Sequence, residues 1–355
     1  MAHGAAVLVG GARDDELTEA AEIEVDQRLG EPTRYTLTLP VGIRGGDFPL
    51  LTDARLGPGA DIAVVAAAGG RRACLVWGPV TGQRVTLVRG GAGSVLRVDG
   101  ADASVVMARE DRAEVWADVS DSAAVSAVAA RHGFAADVRD TGNVHPADGH
   151  ALVQREPDLA FVARLARRNG CVVWLTSTEE GAHTLHFRPP PVDGDPEAEL
   201  SVTVEPPSVE VLEIAWDAER PTAASASGLD PRSKQVLDGA PGDVLPARLA
   251  ATPFARIAAG GPRTVWVNAV ADDTADLRAR TAAELAENAF FVTASGSTTT
   301  ALAGRVLRAP SVVRVRGAGS RHSGRWLCAR VRHVIGATAH TMHFDLVRDG
   351  WGEQT

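Results

Sequence analysis

Two histidine pairs have the spacing of metal ligands. His183 and His186, and likewise His340 and His343, are separated by two residues. On a helix this spacing places both imidazoles on one face, where they can bind Zn²⁺. Both pairs lie in sequence that favours β-strands, and in a strand positions i and i+3 point to opposite faces. We therefore expect no metal site and place these histidines at the surface or at the edge of the core.

Glu156 and Asp158 have the chemistry of an acid and base pair that cleaves glycosides. They also lie where a helix is predicted to begin, and there acidic side chains already have a sufficient role because they interact with the helix dipole. The sequence contains no GxSxG or HExxH motif, and the glycine-containing run at Gly317 lacks the lysine of a phosphate-binding loop. These observations favour a protein that is not an enzyme and has no cofactor.

An arginine-rich segment is the most informative charge feature. The chain has a formal net charge of -9, yet residues 288–344 contain eight arginines and no acidic residue. Arg314 and Arg316, and Arg330 and Arg332, alternate with apolar residues, so each pair is predicted to project from one face of a strand. This face is either simply solvated, or it docks against an acidic neighbour or lines a lumen. Nucleic-acid binding is disfavoured by the acidic net charge and by the scarcity of aromatic residues in the segment.

The composition is that of a globular protein with several domains. The 355 residues are 45% hydrophobic and 23% charged, which is enough apolar sequence for two or three cores. Cys74, Cys171 and Cys328 lie far apart, so we expect buried free thiols rather than disulfides. The sequence shows no secretory signal and no apolar run of membrane-spanning length. We therefore expect assembly in the cytoplasm without a membrane anchor.

Residues 1–108 are predicted to form a first β-rich domain. Tyr35–Leu39 alternates at period two, and Asp61–Ala67 and Ala73–Trp77 are short apolar strands. Glycine-rich turns separate them at intervals of about ten residues, which is typical of closed barrels and sandwiches.

Residues 109–205 are predicted to form a small α+β domain. Polar side chains before Ser122 cap a helix that continues to about Arg131, and Pro157 begins a second helix that ends before Gly170. A hairpin follows, which places helices on one face of a small sheet.

Residues 206–355 are predicted to form a second β-rich domain with an inserted helix at about residues 273–289. The closing strands are Val312–Arg316, Arg325–Val334 and His340–Val347. The order of strands in residues 220–262 cannot be assigned, but a loop of that length in a compact domain indicates hidden short strands. The predicted fold class is therefore mainly β with an α+β insertion.

Several stretches in order resemble the phage late control protein D family, the hub proteins of contractile tails and injection machines. They are VDGAD with SVVMARED, DVSDS with AVSAVAARHGF, VQREPD with LAFVARLARRNG and CVVWL, and the closing RWLCARVRHVIGATAHTMHFDLVRD. The similarity loosely spans residues 20–350, and its specificity lies in the order and spacing of the stretches.

The resemblance implies a structural baseplate hub of a contractile phage tail or contractile injection system. In that family two tail-tube-like β-barrel domains per chain form a six-barrel homotrimer, which adapts the sixfold tail tube to a threefold spike. The expected partners are further copies, the tail tube protein, a spike protein and other baseplate proteins. Because the sequence ends just after the last predicted barrel strand, the VgrG-like spike is expected on a separate polypeptide.

Two other classes of function stay open. A tail-associated enzyme that degrades cell walls would require converging carboxylates with shifted pKa values. A carbohydrate-binding or receptor-binding β protein would require exposed tryptophan or tyrosine platforms, and this chain has one tyrosine and seven tryptophans.

Overall fold

The structure is a computed structural model, and it describes most of the chain. The described residues are 4–20, 22–43, 45–147, 151–229, 234–239, 248–258, 261–267 and 274–353. No helix in these ranges is both long and apolar enough to cross a membrane.

The first part of the chain is built from strands with alternating exposure. In Glu22–Arg28 and Arg34–Pro40 every second residue is buried, because apolar and polar residues alternate there. Short 3-10 turns at Pro49–Leu51, Ala54–Leu56 and Ala103–Ala108 connect the strands. The elements are β1 (Ala5–Val9), β2 (Ala12–Asp14), α1 (Asp15–Ala20), β3 (Glu22–Arg28), β4 (Arg34–Pro40), β5 (Asp61–Ala68), β6 (Arg71–Thr86) and β7 (Val95–Ala101).

The central part is an α+β unit, as predicted. The Ser120 side chain caps α2 by accepting a hydrogen bond from the Ala123 amide. The three-stranded sheet has the order β10-β14-β13, whereas β12 pairs with β8 outside it. The elements are β8 (Asp111–Trp116), β9 (Val119–Ser120), α2 (Asp121–Arg131), β10 (Ala135–Val138), β11 (Val144–His145), β12 (Leu152–Pro157), α3 (Asp158–Arg168), β13 (Val172–Ser177) and β14 (His183–Arg188).

The last part contains the short strands that were expected within residues 220–262. The inserted helix is also present, although the predicted start at Asp273 lies outside the described residues. The elements are β15 (Ala198–Ser201), β16 (Val211–Trp216), β17 (Ala223–Ser225), β18 (Ser227–Leu229), β19 (Val236–Asp238), β20 (Thr252–Pro253), α4 (Phe254–Ile257), β21 (Thr264–Trp266), α5 (Thr274–Asn288), β22 (Val292–Thr299), α6 (Thr300–Ala303), β23 (Ser311–Arg316), α7 (Gly319–His322), β24 (Gly324–Ile335), β25 (His340–Arg348) and β26 (Gly350–Trp351).

One large sheet joins the first and last parts of the chain. Its strand order is β16-β22-β25-β24-β3-β4-β7-β6-β5-β1-β2, and β23 and β15 continue from β24 on a branch. The two parts meet where β24 pairs antiparallel with β3, from Ile335 opposite Ile23 to Arg330 opposite Arg28. The prediction of a mainly β fold with an α+β insertion is therefore confirmed, and the two β-rich parts share a sheet.

Three large apolar clusters lie inside these parts. The first is enclosed by β1 and β3–β7, the second lies between α2, α3 and the small sheet, and the third is enclosed by β15, β16 and β22–β25. Their fully buried side chains include Ile23, Leu37, Val98, Val125, Phe161, Phe187, Val313, Trp326 and Phe344.

All three cysteines are free thiols, as predicted. Cys171 and Cys328 are buried, whereas Cys74 is only partly buried. Burial raises the pKa of Cys74 to about 12 and that of Cys171 to about 11, so both thiols are protonated and unreactive at neutral pH.

An aromatic side chain covers a glycine on the neighbouring strand in each β-rich part. Tyr35 of β4 lies opposite Gly100 of β7, and Phe344 of β25 lies opposite Gly296 of β22. A Cβ atom added at either glycine would overlap with the facing ring. Counted outward from the β24–β3 junction, both glycines lie on the third strand, so the two parts repeat the same packing.

We predict that Gly100→Ala and Gly296→Ala each lower the free energy of unfolding by about 1–3 kcal/mol, because the aromatic ring must leave its position in a packed core. Urea denaturation measures the change. Gly82→Ala is the matched control, since open space surrounds Gly82 and its φ is not positive. Equal stability of all three variants would contradict the packing argument.

Candidate functional site

Arg330 and Arg332 lie on the outer face of the large sheet at the junction of its two parts. The Arg330 guanidinium binds both Asp26 carboxylate oxygens at 2.8 and 2.9 Å and lies 3.5 Å from Asp345. Arg332 donates to Glu24 at 2.7 Å. The carboxylates come from the neighbouring strands β3 and β25, so the arginines form a row of cross-strand ion pairs over the junction.

Arg314 and Arg316 lie on the adjacent strand β23, and both are exposed. Arg316 donates to Glu199 of β15 at 2.9 Å, and Arg314 lies 3.8 Å from Glu353. These four side chains line a recess of about 390 Å³. Arg314 lies opposite Arg325, which is five residues before Arg330, or roughly 17 Å along the strand. The two arginine pairs therefore form separate patches.

Each of the four arginines faces a carboxylate of its own chain. These partners were not predicted from the sequence, although one signal was present: Glu24 and Asp26, which bind Arg332 and Arg330, are an acidic pair at the same period of two. Exposed ion pairs of this kind contribute only about 0.2–1 kcal/mol each to stability. Their larger effect is to neutralise part of the positive charge of residues 288–344.

Asp158 is the centre of a buried polar network in the α+β unit. Its side chain is 1% exposed, although it begins α3, where contact with the dipole alone was expected. It accepts hydrogen bonds from Gln154 at 2.7 Å, from Arg131 at 3.0 Å and from His132 at 2.8 Å. Burial raises the pKa of Asp158, but these bonds outweigh it and hold the pKa below its ordinary value.

A second buried carboxylate connects the helices. Asp121 accepts hydrogen bonds from Asn169 at 2.7 Å and pairs with His145 at 2.9 Å and with Arg168 at 3.1 Å. Burial raises the pKa of Asp121, but the bonds from His145 and Arg168 lower it below its ordinary value. Arg168 also lies 3.5 Å from Asp276 of α5, so charged groups link the α+β unit to the last part of the chain.

Glu156 and Asp158, the carboxylates at the start of α3, therefore have a structural role. A general acid requires a raised pKa, and Asp158 has a lowered one. Glu156 accepts a hydrogen bond from Arg164 at 2.6 Å. The two side chains contact different arginines.

We predict that Asp158→Asn lowers the free energy of unfolding by about 1–3 kcal/mol, because the buried amide cannot accept all the hydrogen bonds that Gln154, Arg131 and His132 donate to the carboxylate. Glu156→Gln, two residues away and more exposed, is the control and costs about 1 kcal/mol or less. Chemical denaturation of both variants measures the difference. Similar losses for the two variants would show that Asp158 has no special role.

The two histidine pairs considered as metal ligands separate in the structure. His183 bonds Ser177 at 2.8 Å, whereas His186 stacks on Trp174 and bonds Asp137 at 2.8 Å. No group of three or more His, Cys, Asp or Glu side chains suited to a metal ion occurs within the described ranges.

His340 lies deeper than the core edge where it was expected. It is 1% exposed, and its Nε2 lies 3.0 Å from Nδ1 of His333, which is fully buried. His343 is exposed on the other face of β25, opposite Arg332. Burial and the neighbouring His340 hold the pKa of His333 well below its ordinary value.

This lowered pKa predicts loss of stability in acid. The unfolded chain binds a proton on His333 near pH 6.5, whereas the folded chain does so only at lower pH. Neutral His333 therefore contributes its full share of stability above pH 6.5. Below pH 6.5 the free energy of unfolding falls by up to about 1.4 kcal/mol per pH unit. Urea denaturation between pH 5 and 8 measures the slope. His333→Phe flattens it, and an unchanged slope in that variant would contradict the prediction.

The overall fold matches solved phage tail proteins. A 43 kDa tail protein of prophage MuSo2 from Shewanella oneidensis is 14% identical, with 98% of each chain covered and a TM-score of 0.68. A tail protein from Neisseria meningitidis is 16% identical, with both chains fully covered and a TM-score of 0.66. A component of the type VI secretion system from E. coli is 14% identical, covers 96% of this chain and 76% of that one, and has a TM-score of 0.57. The molecule thus has the fold of phage tail proteins.

A family model also matches the sequence. The model, described as the Alg8 N-terminal domain, matches residues 2–337, and the chain belongs to this family. No curated protein matches the sequence.

Proposed function

We propose that the protein is a structural baseplate hub of a contractile phage tail or contractile injection system. Three copies form a ring that adapts a sixfold tail tube to a threefold spike. This assigns the chain to hubs of the late control protein D type. Its partners are further copies, the tail tube protein, a spike protein and other baseplate proteins, and it is incorporated into the particle.

The single sheet that runs over two separate apolar cores is the observation that carries this proposal. Two similar barrel-like units per chain, at residues 1–108 and 206–355, give six units in a ring of three. The α+β domain lies between them in sequence, and its apolar cluster ends at Phe187. Within the predicted range 109–205, β15 instead pairs with β23 and packs in the core of the second β-rich unit. The likeness to tail proteins over nearly the whole chain supports the same assignment.

The outer face of the sheet is proposed to line the lumen of this ring. Arg330 and Arg332 both bind acidic residues of the same sheet, so their positive charge is neutralised within the chain. A face neutralised in this way attracts neither cations nor anions strongly, which suits passage of other molecules. Docking of this face against an acidic neighbour is less well supported, because its positive charge is already paired.

A non-enzymatic role is part of the proposal. The lowered pKa of Asp158 and the pairing of Glu156 with Arg164 oppose acid–base catalysis at the start of α3. Release of soluble fragments from peptidoglycan by the purified protein would favour the alternative of a tail-associated enzyme.

We predict that the protein sediments alone at three times its chain mass of 37.0 kDa, or that three copies enter a heavier complex with its tail tube and spike proteins. Analytical ultracentrifugation measures this mass. A chain that stays monomeric in the presence of both partners would overturn the hub proposal.

A further inference from the structure

A cavity of about 490 Å³ lies where the three parts of the chain meet. Its walls come from α3 and β13 of the α+β unit, from the turn after β3, and from α5, β24 and β25 of the last part. A volume of roughly 300–1,000 Å³ at a boundary between domains is typical of sites that bind small ligands. The walls are mostly apolar, and they include Ala166, Val173, Ala286, Phe290, Leu327 and Val347.

Asp349 is the buried charged residue of this lining. It is 6% exposed, and its carboxylate accepts hydrogen bonds from the backbone amides of Arg248 and Leu249. Within the part of the chain that the structure describes, no cationic side chain lies within 4.0 Å of this carboxylate to form an ion pair. The guanidinium of the neighbouring Arg348 donates to backbone carbonyl groups instead.

A buried carboxylate without a counter-ion is costly, because burial removes water from its charge. Burial accordingly raises the pKa of Asp349, and the backbone hydrogen bonds offset this effect only in part. An ionised carboxylate accepts about four hydrogen bonds, so the backbone amides leave acceptor capacity for a donor in the cavity. This capacity is a specific polar feature in an otherwise apolar space.

The other charged groups around the cavity cancel one another. Arg167, Arg248 and Glu287 belong to the lining, and Arg248 donates to Asp193 beside it. Two arginines are thus balanced by two carboxylates, and Asp349 gives the site a net negative charge. Arg167 and Glu287 are also exposed, so water and salt screen both of them. A cation is therefore the charge that complements the site.

We propose that the cavity binds the ammonium end of an aliphatic amine, with the ammonium donating to Asp349 and the methylene chain packing on the apolar walls. One molecule then supplies the missing counter-charge and fills the apolar volume. The amine belongs either to a free alkylamine or polyamine, or to a lysine side chain of another protein, since both carry an ammonium on an aliphatic chain. Because the walls come from all three parts of the chain, an occupant stabilises their arrangement. The inference goes beyond the proposed assembly and does not rest on it.

Three probes with the same eight-carbon chain and different head groups test the site on the wild-type protein. Isothermal titration calorimetry at pH 7 is expected to show one site that binds n-octylamine about tenfold to hundredfold more tightly than 1-octanol, the range expected for a hydrogen bond between charged groups. Octanoate should bind more weakly than 1-octanol, because its charge repels Asp349. No saturable binding of octylamine, or tighter binding of octanoate, would overturn the inference.

Two variants separate the apolar walls from the carboxylate. Ala286→Leu fills part of the cavity and is expected to abolish binding of both octylamine and octanol. Ala282→Leu, on the same helix but outside the lining, is the matched control and retains binding. Asp349→Asn removes only the preference for octylamine over octanol, and circular dichroism checks that this variant is folded. A folded Asp349→Asn protein that keeps the preference would contradict the role of the carboxylate, and the comparison of head groups on the wild-type protein decides the matter if the variant unfolds.

Competition distinguishes the two sources of the amine. Spermidine that binds the wild-type protein but not Ala286→Leu identifies a free amine as the occupant. Octylamine that displaces a tail tube or spike protein from the wild-type protein identifies a lysine side chain instead. A wild-type protein that binds octylamine but stays monomeric with both partners would overturn the hub proposal and leave this inference intact.

Discussion

The pairing of β24 with β3 is the interaction on which the rest of the structure depends. It joins the first and last parts of the chain into one sheet and positions the two apolar cores on either side of the junction. The ion pairs of Arg330 and Arg332 with Asp26 and Glu24 lie directly over it. Exposed pairs add little energy individually, so backbone bonds and buried side chains hold the junction and the charges define its outer surface.

Buried charge has a different role in the α+β unit. Asp158 and Asp121 are each surrounded by donors from several elements, and each has a lowered pKa because the hydrogen bonds outweigh the cost of burial. Because the donors to each carboxylate come from several elements, all of these hydrogen bonds form only when the helices are in one arrangement. The link from Arg168 to Asp276 extends this restriction to α5. The central unit is therefore held to its neighbour by directional contacts in addition to apolar packing.

The parts of the fold that the sequence predicts are those set by local chemistry. Ser120 caps α2, Pro157 precedes α3, and alternation marks β4, so these elements were located within one or two residues. The acidic partners of the arginines were not predicted, because Glu24 and Arg332 are 308 residues apart and no local pattern states which strands pair. For the same reason the environment of Asp158 was missed: its donors come from Gln154, Arg131 and His132, which only the tertiary fold brings together.

The position of β24 in the chain has a consequence for how the molecule is made. During synthesis β3 emerges early, whereas its partner follows about 300 residues later, so the edge of β3 stays unpaired while most of the chain is completed. Contacts of such long sequence separation form slowly because closure of the intervening chain costs entropy. The nascent first part therefore exposes an edge that invites wrong partners. Glu24 and Asp26 place two negative charges on that strand until Arg332 and Arg330 are made, and charged side chains on an open edge disfavour its pairing with a second copy.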